Sequence, residues 1–217
     1  MRMLAVSDMH GNIENVMRAL DEYPADLVVS CGDWGDPGEL DGAALEEIAS
    51  RAPIVSVYGN HDDTDVLSSV SNRDGSSILL RNGEVRRVRD LNIAGISGIW
   101  AKSHRKPYYV TDEDVEEIAR GLTGRRVDIL LTHGCPVGLA DVVPGGRHGG
   151  QRCFLDAFKM VSPRLHLCGH LHAAQKKQLA DGRLVVNIGH TLQGDYWTFD
   201  FVGGELTFEH RRLADDS

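Results

Sequence analysis

The sequence predicts an α/β fold, a four-layer α/β/β/α sandwich of two mixed β-sheets flanked by helices. Two observations carry this. Short apolar runs alternate with amphipathic stretches over most of the chain, which favours parallel strands covered by helices. The last forty residues switch to consecutive strand patterns joined by Asp181-Gly182 and Gly203-Gly204 turns, which favours antiparallel pairing.

Met3 to Val6 is a β-like run. Ile13 to Leu20 then places Ile13, Val16, Met17 and Leu20 on one face, at helical spacing, with Asn12 as its cap. Leu27 to Val29 reads as a strand, Ala43 to Ala49 as a helix and Pro53 to Val57 as a third strand. Ser77 to Leu80, Val85 to Arg89 and Asn92 to Ile96 read as shorter strands, with Asn82-Gly83 a hairpin turn between the first two. Asp112 to Leu122 is a helix capped by Thr111, with Asp114 completing an acidic capping box. Val127 to Leu131 is a strand, Gln151 to Met160 a helix stopped by Pro163, and Leu165 to Cys168 a strand. Gln175 to Leu179, Leu184 to Ile188, Tyr196 to Val202 and Glu205 to His210 complete the series as a meander.

With 217 residues and 41% apolar composition, the chain is read as one domain, residues 1–217, with a core that needs no staples. No apolar run approaches the ~18 residues of a membrane span, and the N-terminus lacks the pattern of a secretory signal. Cys31, Cys135, Cys153 and Cys168 show no Cys-x-x-Cys spacing and read as reduced, which predicts a cytoplasmic protein. A net charge of −9 argues against a membrane surface or double-stranded nucleic acid as partner. An anionic substrate then needs local positive charge, which metal ions supply.

Five polar clusters each lie just past an apolar strand: Asp8-Met9-His10, Gly32-Asp33, Gly59-Asn60-His61-Asp62, His133-Gly134 and Gly169-His170-Leu171-His172. Ligands of open α/β sheets bind at the carboxyl ends of strands, so neighbouring parallel strands would bring all five to one rim. Glycines 32, 59 and 169 suit tight turns beside a metal. The set Asp8, His10, Asp33, Asn60, His133, His170 and His172 holds two carboxylates, one amide and four imidazoles. Hard oxygen with borderline nitrogen and no thiolate suits Mn, Fe, Zn or Ni. Seven ligands exceed one tetrahedral zinc and suit two ions sharing a carboxylate. Singly, each residue has a duller reading: Asp8 as a helix cap, His10 as a surface residue, Asp33 as a turn former before Asp36-Pro37-Gly38, Asn60 in a left-handed turn.

The order Asp-x-His, Gly-Asp, Gly-Asn-His-Asp, His, Gly-His-x-His resembles the calcineurin-like metallophosphoesterase family from Asp8 to His172. The resemblance implies a phosphoester hydrolase with a dinuclear metal centre and a bridging hydroxide. It implies Asp8, His10 and His172 as ligands of one ion, Asn60, His133 and His170 as ligands of the other, and Asp33 as the bridge. It further implies His61 as the histidine that contacts the phosphate and protonates the leaving group, with Asp62 orienting it.

The Arg-Gly pair that protein phosphatases and dinucleoside tetraphosphatases carry after Gly-Asp is missing from Gly32-Asp33-Trp34-Gly35. Thr132-His133-Gly134-Cys135-Pro136 is similar to the Thr-His-Gly-Pro-Pro of small metallophosphodiesterases, with Cys135 a departure. Phosphodiesterase is therefore the expected activity, on a small phosphoester such as a nucleotide. The alternatives are a catalytically weak scaffold of the same fold and a nuclease acting on short single strands.

Other residues are weighed by position. His166 alternates with Leu165 and Leu167 and is expected to be structural, His210 to be exposed, and His190 to end a strand within possible reach of the site. Trp100 to Tyr109 mixes aromatic and basic residues and reads as a flap or as a solvated loop. Residues 144–152 are glycine-rich with Arg147, His148 and Arg152, and read as an anion cradle before a helix or as a flexible connection.

Overall fold

The computed structural model describes residues 1–214. In chain order the elements are β1 (Arg2–Val6), α1 (Glu14–Glu22), β2 (Leu27–Ser30), α2 (Gly42–Arg51), β3 (Ile54–Ser56), α3 (Thr64–Ser69), β4 (Val85–Val88), β5 (Leu91–Ile96), β6 (Ile99–Trp100), β7 (Tyr109–Val110), α4 (Asp112–Leu122), β8 (Ile129–Thr132), α5 (Arg152–Val161), β9 (Leu165–Cys168), β10 (Gln175–Gln178), β11 (Leu184–Asn187), β12 (Asp195–Val202) and β13 (Glu205–Arg212). A 3₁₀ turn spans Thr191–Gln193.

Two mixed sheets form. The first runs β13-β12-β1-β2-β3, and the second β10-β11-β9-β8-β5-β4. Within the first, β1, β2 and β3 are parallel. Within the second, β5, β8, β9 and β11 are parallel.

Side-chain alternation explains the layering. Met3, Ala5, Leu27 and Val29 face Ile129, Leu131, Leu165 and Leu167 between the sheets. The intervening Leu4, Val6 and Val28 face outward onto Val16 and Leu20 of α1 and Leu45 and Ile48 of α2. On the other side Ala94, Ile96 and Leu130 meet Val115 and Ala119 of α4 and Phe154 and Ala157 of α5. Each sheet is thus buried on both faces, and the predicted α/β/β/α sandwich is what forms.

The caps follow the expected chemistry. Asn12 Oδ1 accepts from the Asn15 amide at 3.1 Å, although α1 begins at Glu14. Thr111 and Asp114 make the predicted capping box. The α5 helix ends at Ser162, whose φ of 53° reverses the chain before Pro163.

Three sequence readings need correction. The C-terminal meander is two hairpins in different sheets: β10-β11 joins the second sheet, where β11 lies parallel to β9, and β12-β13 joins the first. Ser77 to Leu80 is no strand: it holds isolated bridges, Ser71 to Ser77 and Ser56 to Leu79, because β3 is too short to extend the ladder. The Asn82-Gly83 turn therefore closes no hairpin ladder; β4 and β5 pair across Arg89, which takes a φ of 53°. The short α3, capped by Asp63 onto the Asp65 and Val66 amides, was not foreseen.

His166 sits as expected on the helix side of β9, fully buried, stacked on Phe158 and bonded to Thr132 Oγ1 at 2.8 Å. His210 is exposed as expected and meets Asp195 Oδ1 at 3.0 Å. No helix among the described residues is long and apolar enough to cross a membrane.

Candidate metal centre

The clusters after β1, β2 and β3 come from the first sheet, and those after β8 and β9 from the second. Their parallel strands open at one end, so the five clusters converge across the seam between the sheets rather than along the rim of a single one.

On one side of the site, His10 Nε2 lies 3.3 Å from His172 Nε2, and His172 Nε2 lies 3.2 Å from Asp8 Oδ1. Asp8 is fully buried and is fixed by the His170 amide, at 3.0 Å from Oδ2, and by the Ser7 hydroxyl. On the other side, His133 Nε2 lies 3.2 Å from Asn60 Oδ1 and 3.3 Å from Asp33 Oδ2, with the His170 ring 5.0 Å from that of His133. Asp33 spans the two sides. Its Oδ1 accepts from the Asn60 and His61 amides at 2.7 and 2.8 Å, leaving Oδ2 to face His133.

The backbone is shaped for this arrangement. Among the described residues eight non-glycine residues have positive φ, and Asp8, His10, Asp33, His170 and His172 are among them. Such conformations cost free energy and cluster where function over-determines them. At Gly59 a Cβ would overlap the Asp33 carboxylate and the His133 ring, and at Gly169 it would overlap Ser7 Oγ and crowd Asp8. Both glycines let the chain approach the donors, as the sequence suggested.

The His133 Nδ1–H donates to the Cys31 carbonyl at 2.8 Å. A carbonyl only accepts, so the ring, once neutral, presents its Nε2 lone pair to the site. Burial pulls the His133 pKa down, but the Asp33 carboxylate outweighs it and the net position is about 9. Asp33 is held below the usual carboxylate range, since His133 and the two backbone donors overcome the effect of burial. Burial, with His133 nearby, lowers His170 to about 4.

The donors fit two neighbouring divalent ions. Ligand atoms of Asp33, His133 and His170 lie within 4.8 Å of one another, and so do those of Asp8, His10 and Asp33. Asp33 belongs to both groups. Close-set lone pairs of oxygen and imidazole nitrogen, with no thiolate, repel one another unless a cation sits between them, and they suit Mn, Fe, Zn or Ni.

Two site residues depart from expectation. Asp62 does not touch His61. Its Oδ2 accepts from the Gly59 and Asp33 amides at 2.6 and 2.8 Å, and its Oδ1 from the Trp34 amide at 2.7 Å, so it ties two ligand-bearing loops together. Burial lifts its carboxyl to about 7 despite those donors. The carboxylate on His61 is Asp36, with Oδ2 3.0 Å from Nδ1. Its one sequence signal was its place in the Asp36-Pro37-Gly38 turn, three residues beyond Asp33.

His190 does reach the site. Its ring stacks on His172 with centroids 4.0 Å apart and lies 5.6 Å from His10, and its buried Nε2 has no hydrogen-bond partner. A lone histidine after a strand carries no signature, so only its location hinted at this.

Of the two segments weighed as pocket walls, Trp100 to Tyr109 lines a cleft of about 610 Å³ whose inner end is Asn60, His61 and His170. Residues 144–152 lie outside that cleft. They fold back on the residues before them: the Val143 amide donates to the Arg147 carbonyl, Asp141 accepts from Gly150 and pairs with His148, and Gly149 packs near Leu171.

Solved structures share this architecture. The protein TT1561 of Thermus thermophilus superposes with a TM-score of 0.72 at 16% identity, covering 96% of this chain and 97% of its own. A dimetal phosphatase from Danio rerio gives 0.65 at 12% identity, over 97% and 96% of the two chains. Vps29 complexed with zinc from Entamoeba histolytica gives 0.55 at 15%, over 100% and 95%. At such identities the likeness is one of fold. A search of curated protein sequences returns no match. A family model for the calcineurin-like phosphoesterases matches residues 1–174, which takes in every one of the five clusters. On that match the chain belongs to the calcineurin-like phosphoesterase family.

Proposed function

We propose that the protein hydrolyses small phosphodiesters, with Asp8, His10 and His172 holding one divalent ion, Asn60, His133 and His170 a second, and Asp33 shared. The observation that supports this best is the convergence of all seven donors from both sheets beside a cleft that His61 enters. The ions, when bound, supply water activation and neutralise charge on the phosphoryl oxygens.

The chain's own groups do the rest. His61 is half-exposed at the inner end of the cleft, and Asp36 Oδ2, 3.0 Å from its Nδ1, orients the ring so that Nε2 can serve the departing oxygen. The Asn60 and His61 amides hold the Asp33 carboxylate in one orientation. Asp62 keeps the loops after β2 and β3 in register. The diester preference rests on the Thr132-to-Pro136 loop, on the missing Arg-Gly pair, and on a cleft that gives a second ester group room beyond His61.

The test is chelation and add-back. Protein stripped of metal should lose hydrolysis of bis-p-nitrophenyl phosphate and regain it with Mn or a similar ion, at about two ions per chain. Turnover of p-nitrophenyl phosphate should be slower. Full activity without metal overturns the reading, and bound metal without turnover of either ester favours the scaffold.

A further inference from the structure

The cleft beside the metal centre has a chemistry unlike the rest of the chain. The protein carries 32 acidic and 23 basic residues, yet the cleft is lined by Lys102, Arg105 and Lys106 and, among the described residues, by no carboxylate. Three aromatic rings, Trp100, Tyr108 and Tyr109, share the wall.

The flap that bears these groups is held in place. Its ends pair as β6 and β7, with the Ile99 amide on the Tyr108 carbonyl at 2.9 Å. Trp100 Nε1 donates to Asp112 Oδ1 at 2.9 Å, and His104 pairs with Asp114. Those bonds anchor the flap to the first turn of α4. Tyr108 and Tyr109 pack edge to face with centroids 5.1 Å apart, and Lys106 Nζ donates to the Tyr108 hydroxyl at 2.6 Å. The side chains of Lys102 and Arg105 make no hydrogen bond or ion pair to the described residues, whereas those of Trp100, His104 and Lys106 are engaged. Two unpaired cations lining one cleft with three aromatic rings match a ring that stacks and an anion that is not the one being cleaved.

We propose that this cleft is a leaving-group subsite for a nucleotide: the base lies against the Trp100–Tyr109 wall and a further phosphate meets Lys102 and Arg105. His61 at the inner end places the departing oxygen between metal centre and cleft. Hydrolysis then breaks the phosphorus–oxygen bond to the nucleotide. The attacking water's oxygen stays on phosphorus and its proton balance leaves the nucleotide as an alcohol. The volume of about 610 Å³ lies within the range of small-ligand sites. The proposal deepens the phosphodiesterase reading and rests on it for the direction of cleavage.

The experiment compares two substrates that differ by one phosphate, the dinucleotides TpT and pTpT, on the metal-loaded wild type and on the Lys102→Ala/Arg105→Ala double variant. The wild type should prefer pTpT at least tenfold in kcat/KM, and the double variant should bring that ratio to within about threefold of unity. Because the readout is a ratio, losses common to both substrates cancel. A wild-type ratio near one, or a tenfold ratio kept by the double variant, overturns the subsite. Binding is read separately, by tryptophan fluorescence on adding thymidine 5′-monophosphate to wild type and to Trp100→Phe. Quenching in the first that disappears in the second supports the subsite even where no ester is turned over, a result that would strike the phosphodiesterase reading alone. No quenching in the wild type counts against the subsite whatever the turnover.

Discussion

The carboxylate of Asp36 meets the imidazole of His61, Oδ2 to Nδ1 at 3.0 Å, while Asp62, the next residue in the chain, faces away onto three backbone amides. The two acids therefore divide the work. One meets a histidine at the cleft, and the other holds loops.

If Asp36 orients His61 as a proton donor, Asp36→Asn should lower kcat about tenfold with little change in KM. His61→Ala should cost about a hundredfold, and adding Asp36→Asn to it should cost nothing more, because the two act as one unit. Steady-state kinetics on the three variants checks this. Additive losses would separate the pair.

Asp62→Ala should act on the fold instead. It leaves the Asp33, Trp34 and Gly59 amides without their acceptor, a loss on the order of 2–3 kcal/mol. Denaturant unfolding should show that drop together with weaker metal retention, whereas Asp36→Ala should show neither.

Metal loading should release protons. Without ions, His133 with its pKa near 9 is an imidazolium at pH 7, and its attraction to Asp33 stabilises the fold. That contribution is complete below the ordinary histidine value of about 6.5 and fades as pH rises through about 9. A ligand nitrogen has to be neutral, so each chain should give up about one proton from His133 on binding at pH 7, and affinity should fall about tenfold per unit between pH 9 and 7. Calorimetry in buffers of different ionisation enthalpy measures this directly. Zero protons released would remove His133 from the ligand set.

His166 should limit acid stability of the metal-free chain. Burial lowers its pKa to about 3, so the folded ring stays neutral while the unfolded chain takes up a proton below about 6.5. Stability should then fall with decreasing pH between these values, by up to about 1.4 kcal/mol per unit. His166→Gln keeps an acceptor or donor for Thr132 Oγ1 but does not titrate, and its unfolding free energy should show a shallower slope between pH 6.5 and 5. Equal slopes would exclude His166 as the cause.

The convergence of the seven candidate donors was legible because each sits in a short motif at a strand end, where local spacing constrains what the side chain can reach. The helices and their caps were legible for the same reason, Thr111 with Asp114 being the clearest case. What a residue touches across space was not. Asp62 follows His61 directly, yet the turn at Gly59 aims its carboxylate at the backbone, and Asp36 arrives from another loop. His190 comes in on the strand β11, whose alternating pattern fits either sheet. The same degeneracy misplaced the final hairpins, since a period of two shows which face is buried and not which neighbour a strand chooses.

The split of the donors between two sheets has a consequence for how the protein is made. Asp8, His10, Asp33 and Asn60 come from the first sheet, and His133, His170 and His172 from the second. The first sheet's central strand β1 also borders β12, which begins at Asp195. On the ribosome, a growing chain holds only loose half-sets of ligands until His172 has emerged, and β1 lacks one of its two neighbours for longer still. If the seven donors hold ions as proposed, ion capture falls late in maturation, and the ions clasp residues drawn from both sheets.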